Sequence, residues 1–159
     1  MDKQAIIEAL RDVRFLHDID NEHLLQIADV TRLRDVEPGQ PLFHEGDVPQ
    51  DVFLVVSGNV ALDINTPGGG SRRIMAVGPG EILGWSALLE QTQMTATATT
   101  LCHAKVAQIK TSQLLTICKR NPRFGYELLR RTSLALAARL SATRLQLLDS
   151  FGSQMPPGA

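Results

Sequence analysis

The chain has 159 residues and a mass of 17.4 kDa, which suits one domain with a substantial hydrophobic core. Its 16 Lys and Arg residues and 17 Asp and Glu residues give a formal net charge of −1, without the basic surplus that phosphate binding by a nucleic-acid-binding protein normally requires. Cys102 and Cys118 have neither zinc-finger nor disulfide-framework spacing, and no apolar run approaches the roughly 18 residues of a membrane span. We therefore expect a cytoplasmic protein with no direct DNA or membrane binding.

Residues 1–32 carry apolar side chains at helical spacing, and Asp20 offers a start for a second helix. The apolar residues of this region are Ile6, Leu10, Val13, Leu24, Ile27 and Ala28. This region predicts two short N-terminal helices.

Residues 33–110 have a different pattern, in which short β-branched runs alternate with turn signals every 8 to 12 residues. The runs are Val52 to Val56, Val60 to Ile64, Arg73 to Val77 and Lys105 to Ile109. Turns rich in glycine, such as Ser57-Gly58-Asn59, separate them. The pattern predicts a mainly β domain with helices, built as an antiparallel β-roll of jelly-roll type.

Residues 111–150 are helical again, first over 112–119 and then, after Asn121 and Pro122, over about 27 residues to Asp149. The tail, 151–159, is rich in Gly and Pro and is expected to be disordered.

The long helix carries two apolar stripes. A seam with alternating steps of three and four comprises Tyr126, Leu129, Ser133, Leu136, Leu140, Thr143 and Leu147. The second stripe comprises Leu134, Ala138, Ala142, Leu145 and Leu148. One stripe can pack on the roll, and the other predicts a homodimer through paired helices, with Leu129, Leu136, Leu140 and Leu147 as its seam. The alternative is that both stripes are buried within one subunit.

Three motifs in order resemble the cyclic nucleotide-binding domains of the catabolite-activator type. They are Phe43-His44-Glu45-Gly46-Asp47, then the run from Val52 to Val60 with Ser57-Gly58-Asn59, then Gly78-Pro79-Gly80-Glu81-Ile82-Leu83-Gly84. The resemblance covers roughly residues 15–149. It implies a β-roll with a ligand cassette and a long C-terminal dimerisation helix.

The resemblance also implies how a ligand would be held. In the family a Gly turns the chain into a short helix, the next residue is an acid that accepts from the ribose hydroxyl, and a later Arg pairs with the cyclic phosphate. Gly84 matches the turn, whereas Trp85 stands at the position of the acid and Met94 at that of the Arg. The usual high-affinity contacts to cAMP are therefore not expected.

Ligand-contact candidates follow from the same match. They are Gly84, Trp85, Ser86, Ala87, Thr95 and, on the long helix, Thr143. Arg73 and Arg144 are candidates for a replacement phosphate contact, although exposure to water is the simpler interpretation of Arg72 and Arg73. Trp85 has three interpretations: it fills the vacated sugar pocket, it stacks on a flat ligand, or it packs in the wall.

No catalytic motif or metal-ligand pattern is present in the sequence, so we expect no enzyme activity. The leading hypothesis is a homodimeric sensor that binds a nucleotide-like or small anionic ligand and acts on an unidentified effector protein. No cofactor is assigned, although a cyclic nucleotide or a similar ligand is a candidate. The alternatives are a ligand-free interaction module with its pocket plugged by Trp85, and a regulator lacking its DNA-binding half by truncation.

Overall fold

The N-terminal region begins with two short helices that pack on the rest of the domain. The computed structural model describes residues 2–153, with side chains for 2–150. Helix α1 (Lys3–Arg11) is followed by a 3-10 helix (Arg14–Leu16) and by α2 (Asn21–Asp29). The Asp2 carboxylate caps α1 by accepting from the backbone N–H of Gln4 at 3.0 Å. Asp20 lies at the start of α2, but its side chain makes no capping hydrogen bond.

Eight strands follow, and they form two four-stranded antiparallel sheets in the orders β1-β8-β3-β6 and β2-β7-β4-β5. The strands are β1 (Thr31–Val36), β2 (Pro41–Phe43), β3 (Asp51–Ser57), β4 (Val60–Asn65), β5 (Ser71–Val77), β6 (Ile82–Leu83), β7 (Thr97–Thr100) and β8 (Ala104–Lys110). The predicted antiparallel β fold with flanking helices is confirmed. The β-branched runs predicted β3, β4, β5 and β8, whereas β1, β2, β6 and β7 are short or polar and gave no such signal. Strand β1 begins at Thr31, inside the region 1–32 that was predicted to be helical.

Strand β3 joins the two hydrophobic cores because its alternate side chains point to opposite faces of its sheet. Val52 and Leu54 belong to the core beneath the helices, whereas Phe53 and Val55 belong to the core between the two sheets. The hairpin after β3 requires Gly58, whose φ is +88° and where a Cβ would lie 2.7 Å from the carbonyl oxygen of His103. The β3–β4 hairpin therefore lies directly against the backbone at His103 and Ala104.

The chain ends in α3 (Thr111–Arg120) and α4 (Pro122–Ser153). The Asn121 side-chain oxygen accepts from the backbone N–H of Phe124 at 3.3 Å and so begins α4. At 1.5 Å per residue, the 32 residues of α4 extend about 48 Å. The helix continues through 151–153, the first part of the segment expected to be disordered. The remainder of that segment, 154–159, lies outside the described residues.

The face of α4 that packs on the domain belongs to neither predicted stripe. Phe124, Leu128 and Thr132 are buried, and Ala135 packs against the same core. The interpretation that both stripes are buried within one subunit is wrong, because Leu129, Leu140 and most of their neighbours on the two stripes are exposed. Only Leu136, in the predicted seam, is half-buried. Every residue from 140 to 150 is exposed in the single chain.

Candidate functional site

Strand β6 leads directly into a tight turn at Gly84, which opens the predicted ligand cassette. Gly84 has φ +79° and ψ 29°, in the left-handed region that glycine adopts readily, and it begins a 3-10 helix over Trp85–Ala87. A Cβ at this position would lie 3.2 Å from the carbonyl oxygen of Asp51 and 3.3 Å from the Phe53 ring. The backbone turn that the resemblance implies is therefore present, and it fits closely against β3.

The half-buried indole of Trp85 is covered by a side chain from α4. The guanidinium carbon of Arg139 lies 4.3 Å from the ring centroid, within the range of a cation–π contact. The neighbouring Ser86 is buried, and Ala87 is half-buried. The position that carries the ribose-binding acid in the family is thus occupied by an indole already in contact with a cation of the same chain.

Arg139 also contacts the strand that precedes the cassette. Its Nη2 donates a hydrogen bond to the carbonyl oxygen of Ile82, whereas its Nη1 is buried and has no hydrogen-bond partner among the described residues. Burial lowers the pKa of Arg139 to about 10, and the negative charge of Glu81 opposes that shift. The guanidinium is therefore charged at neutral pH, with one donor unused.

Met94 takes part in the frame of the site. Its backbone N–H donates to the carbonyl oxygen of Asp47, and its carbonyl oxygen accepts from the backbone N–H of Gly46, both at 2.8 Å. The Met94 side chain is buried and lines a cavity of about 340 Å³ with Phe43 and Phe53. The same cavity is also lined by the polar side chains of Asp47, Gln50 and Asp51, so at the position matched to the phosphate-binding Arg a thioether stands beside two carboxylates.

The other predicted site residues lie apart from this contact. Thr95 is exposed, and the exposed Thr143 donates its hydroxyl hydrogen to the carbonyl oxygen of Arg139 at 2.9 Å, within α4. The guanidinium of Arg73 pairs with Asp63 across the β4–β5 hairpin at 3.2 Å, and Arg144 is exposed on α4. Among the described residues, the side chains of Thr143 and Arg73 bind these other groups, and the cation over Trp85 is that of Arg139.

The sequence did not indicate Arg139 as a site residue, although Thr143, four residues further along the same helix, was a predicted ligand contact. An Arg on a long amphipathic helix is normally interpreted as solvent-exposed, and the sequence gives no measure of how α4 is rotated on the roll. In the structure Arg139 lies four residues after the partly buried Ala135, which places both on the side of α4 that faces the roll.

A larger cleft lies between α4, the Arg14–Leu16 segment and the β5–β6 connection, with a volume of about 710 Å³. Arg139 forms part of its wall, whereas none of the eight predicted ligand-contact residues does. Within residues 2–153 no group of His, Cys, Asp and Glu side chains is arranged to hold a metal ion. No helix of the described part of the chain has the length and apolarity to cross a membrane.

Comparison with known proteins places these features in a family. The model of the cyclic nucleotide-binding domain matches residues 33–121. The "Cyclic AMP receptor protein" of Thermus thermophilus is 31% identical over 109 residues, which cover 69% of this chain and 49% of that protein. The chain spans about half the length of the curated relatives it matches.

Solved structures agree with that match. The catabolite activator protein of Thermus thermophilus superposes with a TM-score of 0.70 at 28% identity, covering 87% of this chain and 63% of that one. A cyclic nucleotide-binding domain from Methylobacillus flagellatus superposes with a TM-score of 0.80 over 99% of this chain and 86% of that one. At 20% identity, the second comparison shows the fold alone.

The close fit at Gly84 can be tested against a glycine with the same φ. Gly39 also has φ +79°, but a Cβ there would meet nothing within 4 Å. We expect Gly39→Ala to lower the free energy of unfolding by about 1 kcal/mol, the cost of left-handed backbone, and Gly84→Ala to lower it by about 2 kcal/mol or more. Urea denaturation measures both. Equal losses would show that the contacts with Asp51 and Phe53 cost nothing.

Proposed function

This chain belongs to the cyclic nucleotide-binding domain family, and from that premise we propose that it is a non-catalytic regulatory domain. It binds a nucleotide-like or small anionic ligand at the cassette and transmits binding through a homodimer of α4 to an effector protein. Regulatory activity is supported by its relatives, which include a "Cyclic AMP receptor protein" and a "CRP-like cAMP-activated global transcriptional regulator" of Mycobacterium tuberculosis. DNA binding is not part of the proposal for these residues.

The position of Arg139 carries the proposal. With Met94 at its position, the phosphate-binding Arg of the family is absent from the cassette. Arg139 brings a guanidinium, with an Nη1 atom that donates no hydrogen bond, to Trp85 of the cassette. A buried donor without a partner costs about 1–3 kcal/mol, so an anion that reached it would gain a charge-assisted hydrogen bond and remove that cost. Because Nη1 is closed to solvent, this contact requires a small displacement of Arg139.

That displacement gives the domain a means of transmission. Arg139 is a residue of α4, and its contacts with Trp85 and Ile82 attach the helix to the cassette. A ligand that replaced these contacts with its own would favour a different position of α4. The size of that shift would be set by how much more tightly the ligand binds the second position of the helix than the first. The helix is suited to relay the change, because its exposed C-terminal half carries Leu140 and Leu147 of the predicted seam.

The second candidate function is a ligand-free interaction module. It is favoured by the cation–π contact itself, since Trp85 already has Arg139 as a partner at 4.3 Å. In that case the indole and guanidinium fill the space of the absent sugar and phosphate contacts, and α4 has one fixed position. The two candidates predict opposite results in a binding experiment.

Titration with cAMP, cGMP and cyclic dinucleotides separates them. We expect saturable binding of at least one at micromolar levels, detected as heat by calorimetry and as a change in the emission of Trp85, the only tryptophan. Arg139→Gln should weaken binding about 10- to 100-fold, and Arg123→Gln, at an exposed position of α4, should not. Trp85→Phe should abolish the fluorescence change while heat remains measurable. No heat with any of these nucleotides would contradict the cassette-ligand proposal and favour the interaction module.

The dimer has a separate test. We expect sedimentation at micromolar concentration to show a dimer, because three exposed leucines of the seam, Leu129, Leu140 and Leu147, need an apolar partner. Leu140→Glu should give a monomer. Ser141→Glu adds the same charge one position along the exposed helix, about 100° away from the seam, and should leave the dimer intact. A monomeric native chain, or equal effects of the two variants, would contradict the α4 dimer.

A further inference from the structure

The cleft of about 710 Å³ along α4 has the size of a small-molecule site, and it is lined by Arg139 but by none of the cassette residues 84–87. Its α4 wall runs from Arg130 to Ala142, which corresponds to about 18 Å along the helix axis. The opposite wall is formed by Phe15 of the N-terminal segment and by Met75 and Ile82 of the roll. The cleft is therefore elongated and bordered by three different parts of the chain.

The charges around the cleft are unbalanced. Four arginines line it, namely Arg14, Arg130, Arg131 and Arg139, against two carboxylates, those of Asp18 and Glu81. A surplus of two positive charges in the lining contrasts with the net charge of −1 for the whole chain. Cationic side chains gathered around a concave surface attract an anion.

The arginines are not all committed to partners within the chain. Arg131 is committed: it donates to the Glu127 carboxylate at 2.8 Å and to the Phe15 carbonyl oxygen at 2.9 Å, which also places the Arg14–Leu16 segment beside this end of α4. Arg130 has only a long contact of 3.5 Å with Glu127. Arg14 is exposed, and its guanidinium makes no hydrogen bond or ion pair with the described residues.

Beyond these cations the wall of the cleft is apolar. Leu134, Ala138 and Ala142 follow one another along α4 and face the roll across the cleft, where Met75 and Ile82 lie. The alanines leave the space open, because their side chains are too short to reach the roll. This is the second stripe of the helix, which lies on a different side from the predicted dimer seam.

We propose that this cleft binds a small amphiphilic carboxylate, with its carboxylate beside Arg14 and Arg130 and its hydrocarbon chain along Leu134, Ala138 and Ala142. The arginine surplus favours an anion. The apolar strip runs along the cleft from the arginines at one end, and it therefore favours an extended hydrocarbon chain over a compact polar group. The proposal does not rest on ligand binding at the cassette, since none of the cassette residues 84–87 lines the cleft.

Octanoate is a suitable probe, and 1-octanol is its uncharged match. We expect calorimetry on the full chain to show saturable octanoate binding, at least 10-fold tighter than binding of 1-octanol. A change in Trp85 emission should accompany it, because Arg139 both lines the cleft and contacts the indole. Calorimetry on Trp85→Phe should show the same heat, which separates cleft binding from any role of the indole.

Two matched pairs of variants locate the site. Ala138→Phe should fill the cleft and weaken octanoate binding at least 10-fold, whereas Ala137→Phe, exposed and turned about 100° away on α4, should not. Arg14→Gln should weaken octanoate binding several-fold, and Arg123→Gln, which does not line the cleft, should not. Urea denaturation of each variant confirms that it is folded.

Three results would overturn the proposal. The first is no octanoate binding up to millimolar concentration, and the second is equal binding of octanoate and 1-octanol. The third is that Ala138→Phe abolishes self-association in sedimentation without changing octanoate binding, which would show that a second copy of the chain covers this strip. Each result stands whether or not cyclic nucleotides bind at the cassette, so failure here and failure of the proposed function are distinguishable.

Discussion

The guanidinium of Arg139 connects two parts of this domain, the segment that begins at Gly84 and the long C-terminal helix. It stacks on Trp85, donates to the carbonyl oxygen of Ile82 and forms part of the wall of the α4 cleft. Desolvation of the charged group is costly, and its lowered pKa of about 10 reflects that cost. The position of α4 beyond its buried anchor at Phe124 and Leu128 therefore depends on how well these contacts compensate for desolvation.

The cassette keeps the family's backbone while changing its side chains. Gly84 retains a left-handed turn against Asp51 and Phe53, because any other residue would strain the backbone and crowd β3. Trp85 and Met94, at the positions of the acid and the Arg, fill space with apolar surface instead of presenting charge. A cation from α4 then stands next to the indole.

The sequence predicted the fold well because the fold depends on local patterns that a single chain displays. Alternating β-branched runs and glycine turns indicated the roll, and Asn121 before Pro122 indicated the start of α4. The sequence predicted the site less well because the site depends on rotation and distance. The side of α4 that faces the roll carries Phe124, Leu128 and the partly buried Ala135. The two leucine stripes, which are more conspicuous in the sequence, lie on other sides of the helix. Arg139 reaches Trp85 only because α4 is oriented with this side toward the roll.

The most direct test of the account is a double-mutant cycle between Trp85 and Arg139. The free energy of unfolding would be measured by urea denaturation for the native chain, Trp85→Leu, Arg139→Gln and the double variant. If the cation–π contact attaches α4 to the cassette, the two substitutions are coupled by about 1 kcal/mol, and the double variant loses less than the sum of the single losses. Additivity within about 0.3 kcal/mol would contradict the account, since the two side chains would then contribute independently.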